Sequence, residues 1–324
     1  MLSIEEYRGI FLQYLPTQNE VREPKNLYRP VSYIMDLGGK RLRPILTLMA
    51  ADFFGGNSSD ALPAAMAVEV FHNFSLVHDD IMDDAPLRRG KPTVHEKWDV
   101  NTGILSGDAM LIQAYRHLEA YKGAMLQQLF EIFNKTAIEV CEGQQHDIDF
   151  ETRNDVTIDE YLKMIEYKTS ILVAAALKMG AIVAGADEEN QNLIYGFGRN
   201  LGIAFQLQDD YLDAFGDPEK FGKQVGGDII ENKKTFLYLK AMQLAQKSEQ
   251  RTLLDLFTIQ PEDTDTKIKT VKAIFEKSGA VAAIKTEIES YTEKAFSALE
   301  RIDADEKDRQ LFKGFGLNLM QRTV

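Results

Sequence analysis

The sequence predicts an all-α fold, and three observations carry that expectation. Apolar residues recur at three- and four-residue spacing over long stretches, runs alternating with a period of two are scarce, and the 9 prolines fall near helix starts or in loops. The 324 residues are 44% hydrophobic and 27% charged, which supplies a sizeable core and excludes wholesale disorder. No Gly/Ser linker, low-complexity tract or internal repeat divides the chain, so residues 1–324 read as one large helical domain.

In chain order, helical patterns appear near 4–14, 28–37 and 42–54. Ser58, Ser59 and Asp60 can cap the next helix, whose first turn tolerates Pro63 and whose apolar pattern runs to about Asp83. Patterns at 105–121 and 123–148 follow. Thr157–Ile158–Asp159–Glu160 has the form of a capping box, opening a helix to roughly Ala184 with Gly185 as its stop. The remaining patterns lie at 189–214, 228–246, 265–277, 279–302 and 304–320. Helices 58–83 and 157–184 are apolar on more than one face, the mark of central core helices.

Charge narrows the class of partner. Fifty acidic against 37 basic residues leave a net charge of −13, which argues against general affinity for nucleic acid or anionic membrane. Cys141 is the lone cysteine and can form no intramolecular disulfide, as expected of a reducing compartment. The N-terminus lacks the basic and apolar regions of a signal peptide, and the most apolar stretch, Ile171–Ala186, is too short for stable membrane insertion and carries Lys178. A cytoplasmic location is the expectation.

Two aspartate clusters point to chemistry. His78–Asp79–Asp80–Ile81–Met82–Asp83 places Asp79 and Asp83 one above the other on a helix face, with Asp80 beside them; Asp209, Asp210 and Asp213 repeat the spacing. Both clusters fall near predicted helix C-termini, where negative charge is unfavourable, so stability alone has the wrong sign. With 25 aspartates in the chain, one such pattern arises by accident roughly 0.15 times, and two copies far less often. Hard carboxylate oxygens in this arrangement suit Mg²⁺, which binds through few protein ligands together with substrate phosphates.

The basic residues fit phosphate substrates. Gly38–Gly39–Lys40–Arg41–Leu42–Arg43–Pro44 puts three cations in a glycine-opened turn, and Arg88–Arg89–Gly90–Lys91–Pro92 closely follows the first aspartate cluster. Lys168–Thr169 lies inside a long apolar helix, either snorkelling to solvent or facing a buried charged substrate. Lys223 and Lys233 follow the second cluster, with glycines between them that allow a loop to close on a diphosphate. No GxxxxGK[ST] loop supports a nucleotide site.

Taken together, GGKRLRP, HDDIMDDAPLRRGKPTVH, Lys168–Thr169, FQLQDDYLDAFGD and the following GK and NKKT resemble the trans-isoprenyl diphosphate synthases, or polyprenyl synthetases. The motifs occur in the family order over about 30–240; residues beyond Ser248 carry none that maps. The resemblance implies a helical bundle around a deep cavity, usually a homodimer, with the two aspartate clusters facing across its mouth. It also implies head-to-tail condensation of isopentenyl diphosphate with an allylic diphosphate (dimethylallyl, geranyl or farnesyl). Asp79, Asp80, Asp83, Asp209, Asp210 and Asp213 match the metal ligands, holding on the order of three Mg²⁺ on the allylic diphosphate. Arg88, Lys223 and Lys233 match cations on that diphosphate; Lys40, Arg43, His72 and Arg89 match the isopentenyl diphosphate pocket; Lys168, Thr169 and Gln206 match groups near the ionising allyl centre. Without the resemblance, His72 reads as a hydrogen-bonded core histidine.

Three other readings fit less well. A class I terpene cyclase carries an Asn/Ser/Glu second motif where this chain has Asp209–Asp213, and a His–Asp phosphohydrolase needs more than the 5 histidines present. A non-catalytic regulatory subunit of a heteromeric synthase commonly lacks one aspartate motif, and both are intact here. For product length, helical geometry puts Ser75 more nearly beneath Asp79, whereas Phe74 matches the family's chain-limiting aromatic and Phe71 lies a turn deeper. With no insertion inside the first motif, the resemblance implies geranylgeranyl diphosphate, with farnesyl diphosphate next.

Overall fold

Among the residues described by the computed structural model (1–217, 225–259, 261 and 263–320), regular structure is helical apart from one hairpin of two two-residue strands, so the all-α expectation holds. The chain divides into two compact units, each made of two separate stretches of sequence. The first comprises Met1–Lys135 and Ala175–Tyr195; the second comprises Thr136–Ala174 and Gly196 onwards.

In the first unit, α1 (Ile4–Gln18) opens on a capping box between Ser3 and Glu6 and buries Tyr7, Phe11 and Leu15, one residue per turn. The Tyr7 hydroxyl donates to Asp52 at 2.8 Å, tying α1 to α3 (Leu42–Phe53). Between them, α2 (Lys25–Asp36) buries Val31, Ile34 and Met35. Asn57 caps a 3₁₀ turn, Ser58–Ala61, that leads into α4 (Leu62–Met82), with Pro63 in its first turn. α4 is buried on nearly every side from Ala64 to Phe74, as a central helix should be. A hairpin of β1 (Leu87–Arg88) and β2 (Lys91–Pro92) precedes the short α5 (Val94–Lys97) and α6 (Val100–His117). Gly107 of α6 faces His78 of α4 so closely that a Cβ there would lie 2.2 Å from the imidazole. That glycine lets the two helices meet.

α7 (Gly123–Thr152), α9 (Ile171–Val183) and α10 (Glu188–Phe215) each contribute residues to both units. In the second unit α8 (Ile158–Ile165) starts at the expected Thr157–Glu160 capping box. The expected helix 157–184 runs without interruption from Ile158 to Val183, but its middle, Glu166–Ser170, winds as a π-turn between α8 and α9. Gly185 ends α9 with φ +77, as expected. The expected helix 228–246 is also two pieces, α11 (Gly227–Ile230) and α12 (Phe236–Leu244), because Asn232 takes φ +62 and stops the first. α13 (Lys247–Leu256) is a helix that the periodicity does not announce. α14 (Thr264–Ser278), α15 (Ala280–Glu300) and α16 (Glu306–Met320) complete the unit, whose core includes Leu207, Leu237, Val271, Phe275 and Ile284. Among the described residues no helix is long and apolar enough to cross a membrane.

Candidate active site

The first aspartate cluster sits at the C-terminal end of α4. Asp80 is 1% exposed, Asp79 is half-buried, and the exposed Asp83 is the helix's C-cap, its N–H donating to Asp79 O at 2.9 Å. Arg88 of the hairpin lays its fork on Asp80: Nε lies 2.8 Å from both carboxylate oxygens, Nη2 is 2.6 Å from Oδ1, and Asp79 Oδ2 is 4.0 Å away. A bidentate arginine on a buried carboxylate is a strong, directional pairing.

The cations of the glycine-opened turn separate. Arg41, in the left-handed region at φ +52, turns inward and is 5% exposed, paired with Glu69 and donating to Met35 O. It holds α2, α3 and α4 together. Arg43 Nη1 meets His72 Nε2 at 3.2 Å, and Arg89 donates to Gly38 O. Burial pushes the His72 imidazole well below its usual range, and the charges of Arg43, Arg89, Arg88 and Arg41 add to the effect. His72 is therefore a neutral acceptor within reach of four guanidinium charges. Lys40 lies exposed on the same turn.

Beneath this cluster on α4, Phe74 packs on Phe71 (ring centroids 5.5 Å) and His78 (4.9 Å), and Phe71 packs on Phe133 (5.4 Å). Ser75 donates its hydroxyl to His72 O at 2.8 Å, so its polar group is satisfied within the helix.

The second cluster is on α10. Asp210 is 4% exposed and accepts hydrogen bonds from the Tyr161 hydroxyl and from Gln206 Nε2 at 3.2 Å. Burial raises its carboxyl well above the ordinary range, and the neighbouring Asp228 pushes the same way. Burial and the Asp210 charge likewise raise the Tyr161 phenol, keeping it a donor. Asp209 is half-buried. Asp213 accepts the Asp228 N–H at 3.0 Å through Oδ2, while its carbonyl accepts from Gly226 at 2.6 Å, so it anchors the start of α11.

A cavity of about 160 Å³ in the second unit is lined by Lys168, Thr169, Gln206, Asp210 and Lys233, with Met164 and Ile165 as its apolar wall. Four of those expected residues lie on two elements, the π-turn and α10. The π-turn is squeezed by two glycines: a Cβ on Gly143 of α7 would meet Lys168 N at 2.3 Å, and one on Gly202 of α10 would meet Ser170 Cα at 2.8 Å. Lys168 Nζ pairs with Asp147 of α7 at 2.6 Å, and Thr169 Oγ1 approaches Gln206 Oε1 at 3.4 Å. Lys233 pairs with Glu231 at 2.8 Å; burial opposes its charge, but Glu231, Asp228 and Asp147 outweigh that and raise its pKa. Lys223 lies outside the described residues.

Sequence reasoning missed three groups here. Asp147 and Asp228 line the same cavity but match neither the i, i+1, i+4 spacing nor any quoted motif. Lys234 donates to the carbonyls of Phe150 (3.2 Å), Glu151 (3.1 Å) and Arg153, capping the C-terminal end of α7. Lys233 and Lys234 both border the cavity, but the Lys234 ammonium is held by these backbone carbonyls.

Residues 24–275 match the family model for polyprenyl synthetase, and the chain belongs to that family: it is a prenyltransferase. It is 40% identical over 293 residues to a geranylgeranyl diphosphate synthase of Methanosarcina mazei, covering 89% of this chain and 87% of that one. It is 36% identical to a geranylfarnesyl diphosphate synthase of Natronomonas pharaonis, covering 99% and 97%. A crystal structure of a geranylgeranyl pyrophosphate synthase, 56% identical, superposes with a TM-score of 0.95 over 99% of both chains. These relatives support prenyl chain elongation on isoprenyl diphosphates.

Proposed function

We propose that the chain, acting as one polyprenyl synthetase domain over residues 1–324, condenses isopentenyl diphosphate head-to-tail (1′-4) with allylic diphosphates to make geranylgeranyl diphosphate. The observation that carries this reading is the convergence of Lys168, Thr169, Gln206, Asp210 and Lys233 on one cavity with an apolar wall. The six aspartates offer only hard oxygen donors at unfavourable helix positions, a set that fits Mg²⁺. Asp79, Asp80, Asp83, Asp209, Asp210 and Asp213 would hold it, on the order of three ions that neutralise the allylic diphosphate so that its C–O bond can break.

The chain's own groups do the rest. Arg88 exchanges its aspartate partner for the allylic diphosphate, joined by Lys233, while Lys40, Arg43, His72 and Arg89 take isopentenyl diphosphate. Gln206 donates its amide to Asp210, which points its carbonyl oxygen toward Thr169 and presents a fixed dipole to the developing allyl cation. Met164 and Ile165 keep water from trapping that cation. The departed diphosphate removes the proton. The exposed Val100, Ile104, Leu105 and Ile112 on α6 support a homodimer, since large apolar side chains open to solvent along one helix mark an interaction surface.

Purified protein given Mg²⁺ and both substrates should yield a twenty-carbon product by mass spectrometry. A silent protein would indicate a regulatory subunit, and a fifteen-carbon product a farnesyl synthase. The Natronomonas relative's name favours a second reading, a twenty-five-carbon product, which the same spectrum separates. Asp79→Ala and Asp209→Ala should each lose at least about a hundredfold in kcat with helix content unchanged by circular dichroism. Near-normal turnover in either would remove the metal assignment.

A further inference from the structure

We propose that Asp84, His95 and Glu96 form a second kind of metal site, one that takes a nitrogen-accepting divalent cation of the zinc type. One ligand atom from each of the three lies within 4.8 Å of the others. His95 Nε2 and Glu96 Oε1 are 3.8 Å apart. In a tetrahedral zinc site with bonds of about 2.0–2.1 Å the ligand–ligand edge is about 3.4 Å, so closing the set takes small movements of two exposed carboxylates.

The independent observation is His95 itself. The residue is 7% exposed, and both of its ring nitrogens are buried without a hydrogen-bond partner. An imidazole buried in this state loses its hydration and recovers nothing, unless something outside the protein binds it. Nε2 is the nitrogen that stands 3.8 Å from Glu96 Oε1, and a cation there would satisfy it.

The backbone holds the ligands ready. Asp84 stands in the left-handed region at φ +49, and Ala85 N–H donates to Asp80 O at 2.9 Å. Thr93 returns to the same place: its hydroxyl donates to Ala85 O at 2.8 Å and its N–H to Pro86 O at 3.2 Å. Asp84 thus stands at the start of the hairpin that carries Arg88 and Arg89, while His95 and Glu96 stand just past its end. A cation bound there clips both ends of that hairpin. The aspartate clusters present oxygen alone and suit magnesium, whereas a mixed imidazole–carboxylate set favours zinc-type cations.

The test is a zinc titration of the full-length protein by calorimetry, with excess Mg²⁺ filling the oxygen-only sites. It is paired with cobalt(II) visible absorption, which reports imidazole ligation. One zinc per chain is expected, displacing a cobalt band. Glu96→Gln and Asp84→Asn, both at exposed positions, should each weaken zinc at least about tenfold while leaving the magnesium-supported rate unchanged. No zinc binding above the magnesium background overturns the proposal. So does an unchanged affinity in either variant. His95→Gln should abolish the cobalt band; if it fails to fold, the two carboxamide variants decide the matter alone.

Discussion

His72 behaves as an acceptor because its surroundings forbid it a second proton. Burial and four guanidinium groups make the imidazolium costly, so Nε2 is available to Arg43 at 3.2 Å. Arg89, anchored on Gly38 O, belongs to the same cationic group. Arg89→Ala or Lys40→Ala should therefore raise KM for isopentenyl diphosphate several-fold more than for the allylic partner. Steady-state kinetics with each substrate varied in turn check this, and equal effects on both would count against two pockets. Phe74 poses a different residue-scale question, since it packs tightly between Phe71 and His78. Phe74→Ala should cost about 3 kcal/mol of stability and lengthen the product by five-carbon units. An active variant with the original product would make Phe74 core packing only. The aspartate clusters were legible in the sequence because i, i+1, i+4 spacing is local. Which cation of a basic run faces inward was not. Arg41 turns to Glu69, 28 residues on, and Lys234 to the end of a helix more than 80 residues back.

At the scale of elements, the π-turn is the feature that the pattern concealed. One extra residue shifts the hydrophobic pattern by a position, but residues on several sides of α9 are apolar and buried, so the shift does not show and 157–184 reads as one helix. The signals for the π-turn, Gly143 and Gly202, lie on other helices and gain meaning only once α7 and α10 are placed against Glu166–Ser170. A methyl at Gly143 would strike backbone, which cannot swing aside. Gly143→Ala should thus lose about 1–3 kcal/mol or more in chemical denaturation and depress kcat through a displaced Lys168. Gly9→Ala is the matched control: it sits inside α1 with nothing within 4 Å of a new Cβ, and should be neutral or gain up to about 1 kcal/mol. Equal stability of Gly143→Ala and wild type would mean that the π-turn yields easily. The remaining misread elements have similar causes. Asn232 adopts a left-handed conformation that no neighbour advertises, and α13 is short, polar and stabilised by packing such as the tilted Tyr238–Phe257 ring pair, 4.2 Å between centroids, just past its end.

For the whole molecule, the division into units is informative because neither is a continuous piece of chain. Residues 175–195 return to the first unit after 136–174 have joined the second. Each unit is therefore complete only after part of the other's sequence has been traversed, which favours one cooperative transition over two. Scanning calorimetry should show a single endotherm whose calorimetric and van't Hoff enthalpies agree. Two resolved peaks would overturn that expectation. Interleaving of this kind also bears on ancestry. No single cut in the gene yields two fragments that each encode one unit and nothing of the other. The halves cannot be traded as cassettes between unrelated genes, and diversification within such a chain must proceed by substitution in place, one lining residue at a time.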